Sequence, residues 1–505
     1  MLFNIKMKRK NVVTNYEGAN AYAMTPAIEL YAAVAATALN DSFYEKDNKR
    51  VERIRELIAK NDAGFVAKMA LYAREKMYLR SVPLVLAVEL AKKHSGDNMV
   101  SKTVERIVQR ADEITELLAY YEMANSRKGA KKLNKLSKQI QKGLSASFNK
   151  FDEYQFAKYN REAAVKLKDA LFMVHPKAKD EAQQIIFNKI VRDELAVPYT
   201  WETELSAAGQ VKYENDGQKK AAFKAKWEEL VASNKMGYMA MLRNLKNVLE
   251  ANVSAETIAK VCAYISNANA VVKSKQLPFR FVSAYRELKN VNSGFTSQLS
   301  DALEDAVNAS ASNIKGFENN TKVVIAIDFS GSMQTPISKL SKIQLYEVGL
   351  ILAMLLKSKC KNVITGIFGE HYRKIQVPSK SILANVDSFA SRIGEVGHST
   401  NGYLVIKDLI DKREIVDKVM LFTDMQLWNS GLFNTSIATL WKQYKHVAPN
   451  AKIYLFDLAG YGQSPLSVQG NDVFMVAGWS DKVFDVLHAI ENGGNAVDEI
   501  IKTEL

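Results

Sequence analysis

The spacing of apolar residues changes once along the chain, and this change constrains the fold more than any other feature. From about Ala27 to Leu303 apolar residues recur every three or four positions, as in "AIELYAAVAATAL" and "MLRNLKNVLEAN", which is the period of amphipathic helices. Beyond residue 322, short β-branched runs such as "KVVIAID" alternate with helical stretches. The chain is therefore expected to contain an all-α part followed by an α/β part.

Four segments follow from this pattern. We predict a basic N-terminal tail at 1–15, a helical-repeat module at 16–314, a polar linker at 315–322 and an α/β domain at 323–505. Successive amphipathic helices joined by short turns favour stacked helical pairs of the HEAT kind. Apolar strands that alternate with helices predict a doubly wound, mostly parallel sheet covered on both faces.

Ligands of such sheets gather at the carboxyl ends of the strands. The run "VVIAIDFSGSM" ends a strand in Asp328, and Ser330 and Ser332 follow at alternate positions. A second strand, "KVMLFTD", ends in Asp424. Hard oxygen donors of this kind suit Mg²⁺ or another divalent cation. The alternative is that the two serines only cap the helix that follows.

This pattern resembles the metal-ion-dependent adhesion site (MIDAS) of von Willebrand factor A domains. In that family a threonine from a loop between the two aspartates completes the site, and Thr400 in "GEVGHSTNG" is the matching residue. The resemblance implies one Mg²⁺ ion held by Asp328, Ser330, Ser332, Thr400 and Asp424.

The positive charge is concentrated in the helical part. Residues 321–505 hold 19 Lys+Arg and 18 Asp+Glu, which leaves 50 basic and 37 acidic residues in 1–320. A basic module joined to a neutral one indicates a polyanion partner, although solubility alone is a simpler explanation. No apolar stretch approaches the roughly 20 residues of a membrane helix. The two cysteines, Cys262 and Cys360, are far apart, which argues against a disulfide framework and fits a cytoplasmic protein.

Helical and α/β parts in this order resemble the Ro autoantigen family, whose helical part is the TROVE module. The local matches are "ALYAREKMYLRSVPLVLAVELA", "FAKYNREAAVKLKDALFMVHPKA", "VPYTWETEL", "MLRNLKNVL" and "QLPFRFVSAY". The resemblance implies a monomeric ring of helical repeats closed by the α/β domain. It also implies binding of small noncoding Y RNAs and of the single-stranded ends of misfolded RNAs, and an exoribonuclease as a protein partner.

The resemblance also names candidate RNA contacts. Lys158 and His175 match a lysine and a histidine that contact RNA in the family, and Lys168 matches as well. The second basic position of the family is Glu162 here, with Arg161 one residue earlier. Without the family, the basic residues would be a solvated helix face and His175 a helix-end cap.

A second basic stretch lies at 127–150, which contains eight basic residues and no acidic one. The residues that we predict to contact phosphates are Arg127, Lys128, Lys131, Lys132 and Lys135. Lysines neutralise the backbone of a nucleic acid without reading its bases. The alternative is a solvated surface helix, although acidic residues usually intersperse such a face.

Two functions remain from different classes. The first is an RNA-binding scaffold of the Ro type, active in RNA quality control, processing or stabilisation. The alternative is a metal-dependent protein-interaction scaffold that binds an acidic partner and has no specific RNA role. No acid/base pair, nucleophile–histidine arrangement or Gly-x-Ser-x-Gly elbow stands out, so the chain is not expected to be an enzyme.

Overall fold

The computed structural model describes residues 12–14, 20–36, 49–125, 136–160, 162–310, 321–337, 341–428, 436–461, 463–468, 472–479, 483, 486–487 and 495–505. The chain divides into two compact units. The sheet unit contains residues 1–37 and 313–499, and the helical unit contains residues 38–312 and 500–505.

The N-terminal segment of the sheet unit contains two short strands and one helix. They are β1 (Val12–Thr14), β2 (Asn20–Ala23) and α1 (Pro26–Ala35). The predicted basic tail therefore includes a strand at its end, because β1 pairs antiparallel with β2. Residues 1–11 and 15 lie outside the described ranges.

The helical unit confirms the prediction of an all-α N-terminal part. Its helices are α2 (Lys49–Lys60), α3 (Ala63–Glu75), α4 (Ser81–Lys93), α5 (Met99–Ile107), α6 (Asp112–Ala124), α7 (Lys138–Phe148), α8 (Glu153–Tyr159), α9 (Leu167–Val174), α10 (Glu181–Arg192), α11 (Trp201–Gln210), α12 (Asp216–Ala232), α13 (Tyr238–Glu250), α14 (Ala255–Ile265), α15 (Ala268–Ser274), α16 (Phe279–Lys289) and α17 (Thr296–Ser310). Contacts run mainly between helices close in sequence, such as α3 with α4 and α16 with α17. This arrangement is the one that amphipathic stripes on successive helices favour.

Polar residues at the helix starts explain why these helices begin where they do. The side chains of Asp62, Asp180 and Ser254 each accept a hydrogen bond from a backbone N–H in the first turn, which satisfies a donor that the helix itself leaves unpaired. Inside the unit, Arg74 donates two hydrogen bonds from Nη2 to the buried Glu113, at 2.8 and 3.0 Å. This ion pair ties α3 to α6.

The α/β part of the sheet unit alternates strands and helices, as predicted. Its strands are β3 (Lys322–Asp328), β4 (Asn362–Phe368), β5 (Tyr372–Lys374), β6 (Lys418–Thr423), β7 (Lys452–Asp457), β8 (Gln463–Ser464) and β9 (Val473–Ala477). Its helices are α18 (Leu345–Lys357), α19 (Ile382–Phe389), α20 (Tyr403–Asp411) and α21 (Ile437–Val447), and α22 (Ala496–Ile501) follows them. The predicted linker lies mostly outside the described residues, and its last residue, Lys322, already belongs to β3.

The main sheet has the strand order β5-β4-β3-β6-β7-β9 and is parallel except for β5 at one edge. The chain leaves β3 toward β4 on one side and later returns to β6 on the other side. The strand order therefore reverses around β3, which makes the carboxyl ends of β3 and β6 the switch point of the sheet. Ligands of open parallel sheets bind at such a point, because the loops diverge there and leave a crevice.

The N-terminal segment packs on the α/β part, so the division of the chain differs from the predicted boundary at residue 16. Strand β2 pairs with β8, and the hydroxyl of Tyr31 donates to the carbonyl of Ala477 at 3.0 Å. Tyr31 and Ala477 are 446 positions apart in sequence. No local pattern in the sequence indicates such a contact.

Two further expectations concern membrane-spanning helices and disulfides. None of the described helices is long and apolar enough to cross a membrane. Cys262 and Cys360 are both free thiols. Burial raises the pKa of both, that of Cys262 to about 11.

Candidate metal centre and nucleic-acid interface

The first aspartate of the predicted metal site is the last residue of β3. Asp328 is fully buried. Its Oδ1 accepts a hydrogen bond from the backbone N–H of Ser330 at 2.9 Å, and its Oδ2 accepts one from the hydroxyl of Thr423 at 2.6 Å. Both oxygens are therefore held in place by the ends of the two strands that flank the switch point.

The second aspartate follows β6 directly. Asp424 is also fully buried, and its Oδ1 accepts a hydrogen bond from the backbone N–H of Gln426 at 3.0 Å. Its Oδ2 has no hydrogen-bond partner among the described residues. A buried carboxylate oxygen without a partner is costly, so this atom marks a place where a ligand would be stabilising.

The loop after β3 brings both serines to the same place. The hydroxyls of Ser330 and Ser332 lie 3.2 Å apart. A short 3₁₀ turn spans Ser332–Gln334. A helical turn therefore begins at Ser332, as the capping alternative expects. The cap residue of that turn is Gly331, and no side-chain capping hydrogen bond forms there.

Backbone hydrogen bonds join the loop that carries Thr400 to the loops that follow β3 and β6. The N–H of Gly331 donates to the carbonyl of His398 at 3.0 Å, and the N–H of Trp428 donates to the carbonyl of Thr400 at 2.8 Å. Thr400 is 3 % exposed. The structure thus brings the loops that carry all five predicted ligands to one edge of the sheet.

A glycine makes this approach possible. A Cβ atom on Gly369, which follows β4, would lie 2.6 Å from the carbonyl oxygen of Gly397 and 2.8 Å from that of Val396. The carbonyl of Gly369 also accepts a hydrogen bond from the N–H of Asn401 at 2.8 Å. Any larger residue here would push the Thr400 loop away from β4.

The two carboxylates of the site are both buried, which opposes their ionisation. Burial is the main cause that raises the pKa of Asp328 to about 7, and the charge of Asp424 raises it further. Burial also raises the pKa of Asp424. Hydrogen bonds from Thr423 and Ser330 to Asp328, and from Gln426 to Asp424, offset only part of this rise. A divalent cation would compensate both charges.

The donor set fits a hard divalent cation. The site offers two carboxylates and hydroxyl oxygens, which are the ligands that Mg²⁺ prefers. Within the described ranges no cluster of three or more His, Cys, Asp or Glu residues could hold a metal ion. The remaining coordination positions would therefore belong to water or to an external group.

Of the predicted RNA contacts, Lys158 lies in a cleft of the helical unit. The cleft is lined by residues of α8, α11, α12 and α13, namely Tyr154, Lys158, Tyr199, Thr200, Trp201, Glu202, Leu230, Lys235, Met236, Gly237 and Ala240. The ammonium group of Lys158 lies 5.8 Å from the ring centre of Tyr154 and 5.7 Å from that of Tyr159. It forms no ion pair with any described carboxylate, so its charge is available to a ligand.

Lys168 and His175 have structural roles in the same unit. Lys168 forms an ion pair with Asp193 at 2.7 Å. His175 is exposed and ends α9 in the left-handed conformation, with φ 49°, and its N–H donates to the carbonyl of Leu171. His175 is thus a helix-end cap, as reasoning without the family predicts. The ring of His175 is exposed, so it remains able to contact RNA.

The other predicted RNA contacts lie outside the described residues. These are Arg161, Arg127, Lys128, Lys131, Lys132 and Lys135.

Sequence reasoning missed the aromatic partners of Lys158. Tyr154 is 42 % exposed, and Lys235 lies with its ammonium group 5.0 Å from the ring centre of Tyr199. The hydroxyl of Tyr154 donates to the carbonyl of Tyr199 at 3.3 Å, which joins the two sides of the cleft. The motif "VPYTWETEL" contains Tyr199 and Trp201, but only the fold places it beside α8.

Comparison with protein families shows which family the chain belongs to. A model of the TROVE domain matches residues 8–196 and 191–297, which is more than half of the chain. The chain belongs to the TROVE-domain family. A model of the Ro60 vWA domain matches residues 322–490 of this TROVE protein, so the α/β part is a von Willebrand factor A domain, as predicted.

Individual relatives agree with this assignment. The crystal structure of the Deinococcus radiodurans RO (RSR) protein is similar with a TM-score of 0.58 and 17% identity, over 93% of this chain and 99% of that one, which shows a shared fold. Telomerase protein component 1 of Mus musculus is 37% identical over 109 residues, and that of Rattus norvegicus is 36% identical over 109 residues. These residues are 22% of this chain, which spans only 4% of the length of either relative.

Proposed function

We propose that this TROVE protein is an RNA-binding scaffold whose helical unit contacts the RNA. The observation that carries the proposal is the cleft at Lys158, where two lysines lie beside aromatic rings. The side chains of Lys158 and Lys235 make no ion pair with a described carboxylate, and the cleft also presents Tyr154, Tyr199 and Trp201. Lysines bind phosphates and aromatic rings stack on bases, and this combination is typical of single-strand binding sites.

The charge distribution and the family support the same function. Residues 1–320 hold 13 more basic than acidic residues, the difference between 50 and 37. Membership of the TROVE-domain family and the fold shared with a Ro protein agree with an RNA partner. The ligands that we propose are small noncoding RNA and free single-stranded ends. The proposed role is RNA quality control in the cytoplasm, with an exoribonuclease as protein partner.

We further propose that Mg²⁺ is the resident ion of the von Willebrand factor A domain. Asp328 and Asp424 would supply the charge, and Ser330, Ser332 and Thr400 would supply hydroxyl oxygens. When bound, the ion would neutralise the two buried carboxylates and offer an open position to an external carboxylate. The unpartnered Oδ2 of Asp424 supports this proposal.

RNA binding is tested by fluorescence anisotropy with two RNAs of equal length, one with a single-stranded 3′ tail and one a blunt duplex. We expect the tailed RNA to bind more tightly, because bases stack on the cleft only when they are unpaired. The double variant Lys158→Gln/Lys235→Gln should weaken binding of the tailed RNA. The double variant Lys260→Gln/Lys412→Gln removes the same charge from two exposed lysines that pair with Glu256 and Asp408, and it should bind almost as the wild type does.

If the two RNAs bind with equal affinity, and the two variants bind RNA equally well, the binding is only non-specific attraction of a polyanion to a basic protein. Failure of the wild type to bind either RNA at 0.1 M salt would refute the proposed function itself.

A further inference from the structure

A second cavity of the helical unit has the properties of a nucleic-acid site. It is a groove of about 780 Å³ between α12 and the end of α13, with one residue from α11. Its lining includes Asp216, Lys219, Lys220, Phe223, Lys224 and Trp227.

Three exposed lysines dominate the charge of this groove. Lys219, Lys220 and Lys224 form no ion pair with any carboxylate in the described part of the chain. Lys226, on the same helix but outside the groove, pairs with Glu204 at 3.1 Å and with Glu229 at 2.7 Å. Carboxylates thus pair with Lys226 outside the groove, whereas the three groove lysines have no ion pair within the described ranges.

The placement of these lysines is unfavourable for the helix alone. Lys220 and Lys224 are four residues apart and so repel each other across one turn of α12. The lining also contains two carboxylates. Of these, Glu250 lies 3.9 Å from the ammonium group of Lys246, and Asp216 lies in the first turn of α12. A bound anion would remove the repulsion between the lysines, which neither carboxylate does.

The walls of the groove are aromatic, and they connect it to the cleft at Lys158. Phe223 and Trp227 line the groove. The indole of Trp227 stacks on that of Trp201, with ring centres 6.4 Å apart and planes inclined by 17°, and Trp201 lines the cleft. The two cavities therefore lie beside one stacked pair of tryptophans.

We propose that this groove is a second site for single-stranded RNA, which continues the path of the strand beyond the cleft. Lys219, Lys220 and Lys224 contact backbone phosphates, and Phe223 offers a face to an unpaired base. Lysines next to aromatic rings favour a nucleic acid over an acidic peptide, because a peptide carboxylate has no use for the rings. The inference rests on the proposed function of the helical unit.

The test compares three full-length proteins in a salt titration with a labelled single-stranded RNA of about 20 nucleotides. The groove variant is Lys219→Gln/Lys220→Gln/Lys224→Gln. The control variant is Lys260→Gln/Lys407→Gln/Lys412→Gln, which changes the net charge equally at lysines that pair with Glu256, Asp411 and Asp408. Five of the six positions lie on the surface of helices, and Lys412 directly follows α20. Circular dichroism checks that the variants are folded.

Loss of three phosphate contacts should reduce the magnitude of the log–log salt slope by about 2 for a single strand. The corresponding loss of affinity is about 100-fold at 0.1 M salt and vanishes near 1 M salt. The control variant should stay within a few-fold of the wild type. Photo-crosslinking of RNA to the peptide that contains residues 216–252, in the wild type, is the second expected result.

If the wild type binds RNA and the groove variant behaves as the control does, the groove site is refuted while the proposed function stands. If the wild type does not bind RNA, both are refuted. A further control is competition by poly-glutamate at equal charge. If poly-glutamate displaces the RNA, and the groove variant loses affinity for poly-glutamate as it does for RNA, the groove is a general polyanion site and the assignment to RNA is overturned.

Discussion

Substitution of Asp424 by Asn tests the metal proposal with little change in shape. The variant keeps an oxygen that accepts the hydrogen bond from Gln426, and it removes the charge at the Oδ2 position, which has no partner among the described residues. It also removes the repulsion that helps to raise the pKa of Asp328. In a chelator, Asp424→Asn should therefore be more stable than the wild type, whereas most buried polar substitutions destabilise.

The size of the effect follows from the pKa shifts. Because the folded state raises both pKa values, the protonated forms are favoured on folding, and stability is lost as pH rises from about 4 toward 7 and above. A shift of one pKa unit corresponds to about 1.4 kcal/mol. Since Asp424 is the second cause of the rise at Asp328, after burial, we expect a gain of about 1–2 kcal/mol at pH 8 and almost none at pH 4.

Thermal unfolding of the full chain in EDTA and in 10 mM Mg²⁺ measures this effect. A gain of 1 kcal/mol raises the Tm of a domain of this size by roughly 2–4 °C. For a Kd of about 1 mM, 10 mM Mg²⁺ should stabilise the wild type by about 1.4 kcal/mol and should leave Asp424→Asn unchanged. The exposed variant Asp411→Asn, which loses the same charge outside the site, should respond to Mg²⁺ as the wild type does.

Two results would refute the reasoning. One is a variant that is less stable than the wild type in EDTA at pH 8, which would show that Asp424 has a structural role only. The other is a Mg²⁺ response that Asp424→Asn retains, which would place the ion elsewhere.

Three further predictions follow from single contacts. Glu113→Ala leaves the buried guanidinium of Arg74 unpaired and should lower the free energy of unfolding by about 3–5 kcal/mol in urea titration, with Glu113→Gln less damaging. Gly369→Ala places a methyl group against the backbone of the Thr400 loop. It should cost about 1–3 kcal/mol and weaken Mg²⁺ stabilisation, and an unchanged response would contradict this role. His175→Gly relieves a left-handed backbone and should raise the free energy of unfolding by about 0.5–1 kcal/mol, while anisotropy shows whether the ring contacts RNA.

Local patterns in the sequence were enough to predict the architecture and the edge of the sheet that holds the candidate metal site. An apolar strand that ends in Asp328 and another that ends in Asp424 must end at the same edge if both belong to one parallel sheet, because parallel strands present their carboxyl ends together. The pairing of β3 with β6 then makes the two ends neighbours. The change of apolar period likewise separated helical and α/β parts, since side-chain period depends only on local backbone geometry.

Only the tertiary structure decided which groups meet across long separations in sequence. The pairing of β2 with β8, the bond from Tyr31 to Ala477, and the cleft that brings Tyr199 to Tyr154 all join distant segments. Charge pairing shows the same limit, because the sequence does not reveal that Lys168 pairs with Asp193 whereas Lys158 lies beside two tyrosine rings. Periodicity records which face of an element is buried, and it carries no information about the partner that buries it.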